Sequence, residues 1–155
     1  MNNKDILEEI ERKFDESKKR IGFKSTLDEI DEAFFVRDFI IKEGFVSENF
    51  SRQMCSRMFE TLSSWSNYLH SLVLPNPHNI MNANESKIFN EEEKKRFMKL
   101  MGKSMAITST NILAGLSKNE KTEAEFIDGA VEFWNKTLSP ELIKTMDKIN
   151  QKWKE

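Results

Sequence analysis

FSRQMCSRMFETLSSWSNYLHSLVL, residues 50–74, carries an apolar residue at nearly every third or fourth place. Phe50, Met54, Met58, Leu62, Trp65, Leu69 and Leu72 therefore fall on one side of a helix with about 3.6 residues per turn. The stripe persists for about six turns, and the alternation of a β-strand cannot reproduce it. Ser47 is the expected cap. Pro75-Asn-Pro77 ends the helix, because proline lacks the N–H and drives the residue before it out of the helical region. One long amphipathic helix sets the class, and the flanking sequence repeats the theme.

Upstream, a first helix is expected from about Lys4 to Ile21, with Leu7, Ile10, Phe14 and Ile21 as its stripe and Ser17 interrupting it. Gly22 stops it by taking the left-handed conformation. Thr26-Leu-Asp-Glu29 has the spelling of a capping box and opens a second helix to about Glu43, with Gly44 just beyond. Leu27, Ile30, Phe34 and Ile41 share one face, and Phe35 and Phe39 form a second apolar pair. From Ala33 to Ile41 this helix is apolar over most of its circumference, as in a central helix or one covered by another subunit.

Downstream, Pro75 to about Phe89 reads as one long loop, with Ile80 and Met81 expected to pin it to the core. Asn90-Glu-Glu-Glu93 starts a fourth helix whose inward stripe should be Phe97, Met101, Met105, Thr108, Ile112 and Leu116. Gly102 suits a close helix contact, and Gly115 a frayed end. Thr122-Glu-Ala-Glu125 should cap a fifth, shorter helix to about Thr137, with Phe126, Ala130, Phe133 and Trp134 inside. Ser139-Pro140 opens the last helix, with Leu142, Met146, Ile149 and Trp153 as its seam. The reading is an all-α antiparallel helical bundle of about six helices, four or five of them long, in a single domain spanning residues 1–155.

Composition agrees. Five Gly and three Pro are too few for the many turns of a sandwich or barrel, and Tyr and Val are scarce while Phe, Met, Leu, Ile, Glu and Lys abound. A net charge of −2 and only two short basic runs, Lys18 to Arg20 and Lys94 to Arg96, point away from nucleic acid. No apolar run approaches the ~20 residues that cross a bilayer, and Met1-Asn-Asn-Lys-Asp lacks a signal-peptide layout, so the expectation is a cytoplasmic protein without membrane contact. The lone Cys55, beside Met54 and Met58, reads as a small buried hydrophobe. His70 and His78 lack the Glu-x-x-His and His-Glu-x-x-His spacings of metal bundles and metalloproteases; His70 reads as partly buried, His78 as a turn residue. No cofactor is called for.

One acidic pattern carries possible chemistry. Asp28, Asp31 and Glu32 share a helix face, where carboxylates can converge on a divalent cation. Asp28-Glu-Ile-Asp-Glu32 resembles the Glu-Glu-x-x-Glu motif of the all-α nucleoside-triphosphate pyrophosphohydrolases, the MazG-like enzymes. Glu125-Phe-Ile-Asp128 has the spelling of their second motif, Glu-x-x-Asp, although two long helices intervene here. The resemblance implies Mg²⁺ held by Glu29, Glu32, Glu125 and Asp128, with Asp28 standing in place of a Glu. A further expectation is a small-ligand groove lined by Met54, Met58, Met98, Met101 and Met105. The leading expectation is a non-enzymatic bundle acting through protein contacts, as a homo-oligomer joined through Phe35 and Phe39 of the second helix.

Overall fold

The computed structural model describes residues 2–155, and every regular element among them is helical. The all-α bundle expected from sequence is what the chain forms. In order they are α1 (Asn3–Ile21), α2 (Leu27–Phe34), α3 (Val36–Glu43), α4 (Phe50–Val73), α5 (Ile80–Ser86), α6 (Glu91–Ser117), α7 (Glu120–Phe133) and α8 (Ser139–Lys154). Several start where local chemistry dictates. Thr26 and Glu29 complete a reciprocal capping box on α2, and Asn90 and Glu93 do the same on α6. Gly22 and Gly44 close α1 and α3 at φ 89° and 86°, a conformation glycine adopts without a Cβ clash.

At the centre α6 packs along one face against both α4 and α7, and α7 runs on into α8 as a single rod. Ser66 Oγ bonds Ser104 Oγ at 2.8 Å, while Arg52 reaches the Asn111 carbonyl, so α4 and α6 run antiparallel. Glu93 at the start of α6 meets Lys148 near the end of α8 at 2.7 Å, so that hairpin is antiparallel as well. Phe34, Met54, Met58, Leu62 and Ile127, from α2, α4 and α7, are fully buried in the core. Each such side chain contributes about 1.5–3 kcal/mol relative to exposure.

Several expectations change. The second helix is not continuous: Phe35 adopts φ 54°, splitting it into α2 and α3. The break is held by side chains. Arg57 Nε donates to the freed Phe34 carbonyl at 2.9 Å, and the Asp31 carboxylate accepts from the Arg37 backbone N–H at 2.8 Å. The reset in phase buries Val36 and Ile40, leaves Ile41 and Phe39 partly covered, and turns Phe35 out to 56 % exposure.

The loop from Pro75 to Phe89 contains α5, capped by Asn79 accepting from Asn82 N–H. Ile80 and Met81 face solvent. The segment is anchored instead by Ser86 Oγ on the Leu72 carbonyl and by buried Phe89. Glu85 accepts from Tyr68 OH at 2.8 Å and from Trp153 Nε1 at 2.9 Å, tying α5 to α4 and α8.

Asn119, not Thr122, caps α7; α8 begins at Ser139-Pro140 as expected, with Pro140 in its first turn, but Ser139 is itself helical and caps nothing. The chain passes through a π-helical turn, Trp134–Leu138, straight into α8, with Ser139 N–H donating to the Trp134 carbonyl. Widening the turn accommodates a proline that has no donor and would crowd the carbonyl four residues back. Within the rod, Thr145 is buried where Met146 was expected, and Trp153 lies half-exposed at its end.

The largest change is in α6. Its buried residues are Phe97, Leu100, Ser104, Thr108, Asn111 and Ala114, while Met105, Ile112 and Leu116 face outward. α1 shows a lesser version, burying Ile6 and Ser17 and leaving Leu7 half-exposed.

Replacing Phe35 by Gly removes the Cβ that disfavours positive φ, so stability should hold or rise by up to about 1 kcal/mol in urea denaturation. A loss of about that size would mean the position is helical. Lys148, with help from the Asn90 N–H and Arg96, holds the Glu93 carboxyl below its usual value. That contribution is complete above the unfolded-state carboxylate pKa and is lost as pH falls through the lowered folded value. Glu93→Gln should cost about 0.5–1 kcal/mol at neutral pH, limited by a half-exposed partner, and the gap to wild type should close in acid.

Candidate functional site

The carboxylates singled out by sequence are placed by α2 and α7. Glu29 Oε1 accepts from Thr26 N–H and serves the capping box. Arg37 spans the break: Nη2 lies 2.9 Å from Asp28, and Nη1 lies 2.9 Å from Asp31. Burial works against that charge and the two carboxylates outweigh it, so the guanidinium is held more firmly protonated than usual. The Asp28–Asp31 face therefore already carries a cation, and the pair acts as a clamp across the α2–α3 corner.

Asp128 closes another joint. Its Oδ1 and Oδ2 accept from Lys24 N–H at 3.1 and 2.9 Å, and Oδ1 also accepts from Ser25 N–H at 2.9 Å and Ser25 Oγ–H at 2.7 Å. Glu29 and Asp128 do line one shallow depression, together with Lys24 and Lys136. Glu32 and Glu125 stand on exposed positions. Among the described residues, no three His, Cys, Asp or Glu side chains are grouped so as to hold a metal ion.

Sequence reasoning missed an interior polar cluster where four helix ends meet. Glu123, in the first turn of α7, is buried, with Arg52 Nη1 at 4.0 Å and Cys55 Sγ–H donating to its Oε1 at 3.9 Å. Arg52 Nη2 donates to the Asn111 carbonyl at 3.3 Å and rests on Gly115, where a Cβ would approach within 3.0 Å. Gly115 is thus a slot for a guanidinium, not a frayed end. Arg52 Nη1 and Asn111 Oδ1 are buried without a hydrogen-bond partner.

A cavity of about 320 Å³ opens beside this cluster, with Arg20, Arg52 and Lys118 set against Glu120 and Glu123. Arg20 at the end of α1, Lys118 at the end of α6 and two glutamates at the start of α7 each complement the dipole of their own helix. Burial, reinforced by the Glu123 carboxylate, pushes the Cys55 thiol well up, so at neutral pH it stays a protonated, unreactive donor. No single stretch of sequence announced this joint, because its members come from separate helices.

The histidines and methionines separate as well. His70 is exposed, and His78 lies in a turn with its N–H donating to Asn76 Oδ1. Met54 and Met58 are fully buried, Met101 is partly buried, and Met98 and Met105 lie 53 % and 61 % exposed. The five methionines therefore line no common groove.

What remains exposed and apolar is surface. Met98, Met105, Ile112, Leu113 and Leu116 keep half or more of their area in water on α6. A smaller area surrounds Phe35, where an open groove of about 440 Å³ runs past Phe39, Lys42 and Glu60. There the Arg57 guanidinium sits 5.2 Å from the Phe39 ring centroid and covers one face of it.

If Asp128 is a structural acceptor, Asp128→Asn should lower stability by about 1–3 kcal/mol, while Glu32→Gln should change it by less than about 0.5 kcal/mol. Thermal melts of the two variants with and without Mg²⁺ check this; equal small effects that appear only with the metal would contradict it.

Comparison with protein-family models, curated proteins and solved structures found no significant match to this chain.

Proposed function

We propose that this chain is a non-enzymatic helical-bundle protein that acts through protein–protein contacts, as a homo-oligomer. The observation that carries the reading is the outer face of α6. Five large apolar side chains in a row stay in water there, in a chain of which 32% is charged. Contiguous apolar patches larger than a few hundred Å² on soluble domains mark contact surfaces.

The run from Ser104 to Ser117 contains no charged residue, so nothing along it keeps a neighbouring protein away. The Phe35–Phe39 corner offers a second and smaller contact, reduced because Phe39 is half-covered by Arg57. Of the carboxylates that suggested nucleotide hydrolysis, Glu29 caps α2, Asp28 and Asp31 clamp Arg37 and Asp128 anchors the loop after α1, which supports a structural role for those four.

No helix among the described residues is long and apolar enough to cross a membrane. A reducing, cytoplasmic setting suits the lone Cys55, kept as a buried thiol.

Sedimentation equilibrium of the purified protein tests the reading. We expect a dimer or larger assembly at micromolar protein; a clean monomer at the highest soluble concentration would overturn it.

A further inference from the structure

The outer face of α6 has an internal order that bears on its occupant. Met98, Gly102, Met105, Ser109, Ile112 and Leu116 follow one another in alternating steps of four and three residues. That spacing is the seam of a left-handed helix pair. All six are exposed, and Gly102 has nothing within 4 Å of the position a Cβ would take. No contact inside the subunit therefore calls for a glycine in the middle of this long helix.

The seam is also self-complementary when reversed. Met98 and Leu116 are equidistant from Ile107, as are Gly102 and Ile112, and as are Met105 and Ser109. Laying the seam against a reversed copy places Ile112 over Gly102 and Met105 over Ser109, large on small at both positions. A two-fold interface requires this property, since one patch must match itself.

Charge selects the same direction. Lys95, Lys99 and Lys103 lie in the first half of α6, and the second half, from Ser104 onward, is uncharged. A parallel pair would bring each lysine level with its own copy. An antiparallel pair sets the lysines of one chain along the charge-free half of the other.

The area suffices. Exposures of 53 % for Met98, 61 % for Met105, 51 % for Ile112, 57 % for Leu113 and 80 % for Leu116 leave much of each side chain in water. Such a face offers on the order of 600 Å² per copy, so two copies reach the ~1,200 Å² at which specific interfaces begin.

We infer that the outer face of α6 binds a second copy of this chain, antiparallel, about a two-fold axis passing beside Ile107. The inference rests on the protein-contact reading above and names its surface. Two measurements on the full-length chain test it. In sedimentation equilibrium, Ile112→Lys and Gly102→Leu should each weaken self-association at least ~10-fold, as expected when a charge or bulk enters a packed apolar seam. Both positions are exposed in the subunit, and circular dichroism should show unchanged helicity.

In the double variant Gly102→Cys, Ile112→Cys, a short thiol-to-thiol cross-linker should join position 102 of one chain to position 112 of the other, as read by peptide mass. Links of 102 to 102 and 112 to 112 would mean a parallel pair and overturn the geometry. A dimer unaffected by both single substitutions would overturn the α6 surface while leaving the contact reading standing on another face. A monomeric wild type would overturn both.

Discussion

The close approach of α6 to α4 and to α7 is the constraint from which most of the architecture follows. Two hydroxyls, Ser66 and Ser104, touch across one of these interfaces, and Thr108, Asn111 and Ala114 continue the line along α6. Small side chains let backbones come near, while large ones hold them at the wider end of the usual 8–10 Å separation. Once the small and hydroxyl residues of α6 face inward, Met98, Met105, Ile112, Leu113 and Leu116 have only the outside left. The apolar outer face is thus the other side of a tight core contact.

The ends of the helices are fastened by charge. Asp31 and Arg37 hold the corner at Phe35, Asp128 holds the loop after α1, Glu93 and Lys148 join the start of α6 to the end of α8, and Arg52 with Glu123 closes the opposite end. Each is a carboxylate set on exposed N–H groups or on a cation. Such bonds are worth more when part-buried than at the surface, and leaving one partner unpaired costs more than making the bond gains. That asymmetry explains why acidic residues resembling metal ligands by spacing are found holding joints.

Much of this was legible where a local signal decides the outcome. The α4 stripe, the two capping boxes and the closing glycines Gly22 and Gly44 act within a turn or two of themselves, and each was found where the pattern placed it. The break at Phe35 was not legible, because neither Gly nor Pro marks it and Arg57, which supports it, lies a helix away. Pro140 lies in the first turn of α8, where the pattern placed it, but the π-turn that joins that helix to α7 without a break had no signal of its own. The inward face of α6 was misjudged because periodicity selects the large apolar residues, whereas burial followed interhelical distance. Among candidate site residues, the Asp28–Asp31 cluster was visible and its partner Arg37 was not. The Cys55–Arg52–Glu123 joint had no sequence signature, being assembled from two separate helices.

The most direct test is methionine oxidation by dilute peroxide under native conditions, followed by peptide mass analysis over a range of protein concentrations. Exposed Met81 on α5 serves as an internal reference that should react at one rate throughout. Met54 and Met58, fully buried, should be slow at every concentration. Met98 and Met105 should react nearly as fast as Met81 in dilute protein and become protected as concentration rises. A Met105 as slow as Met58 in protein dilute enough to sediment as a monomer would mean that α6 buries its large face, contrary to the structure.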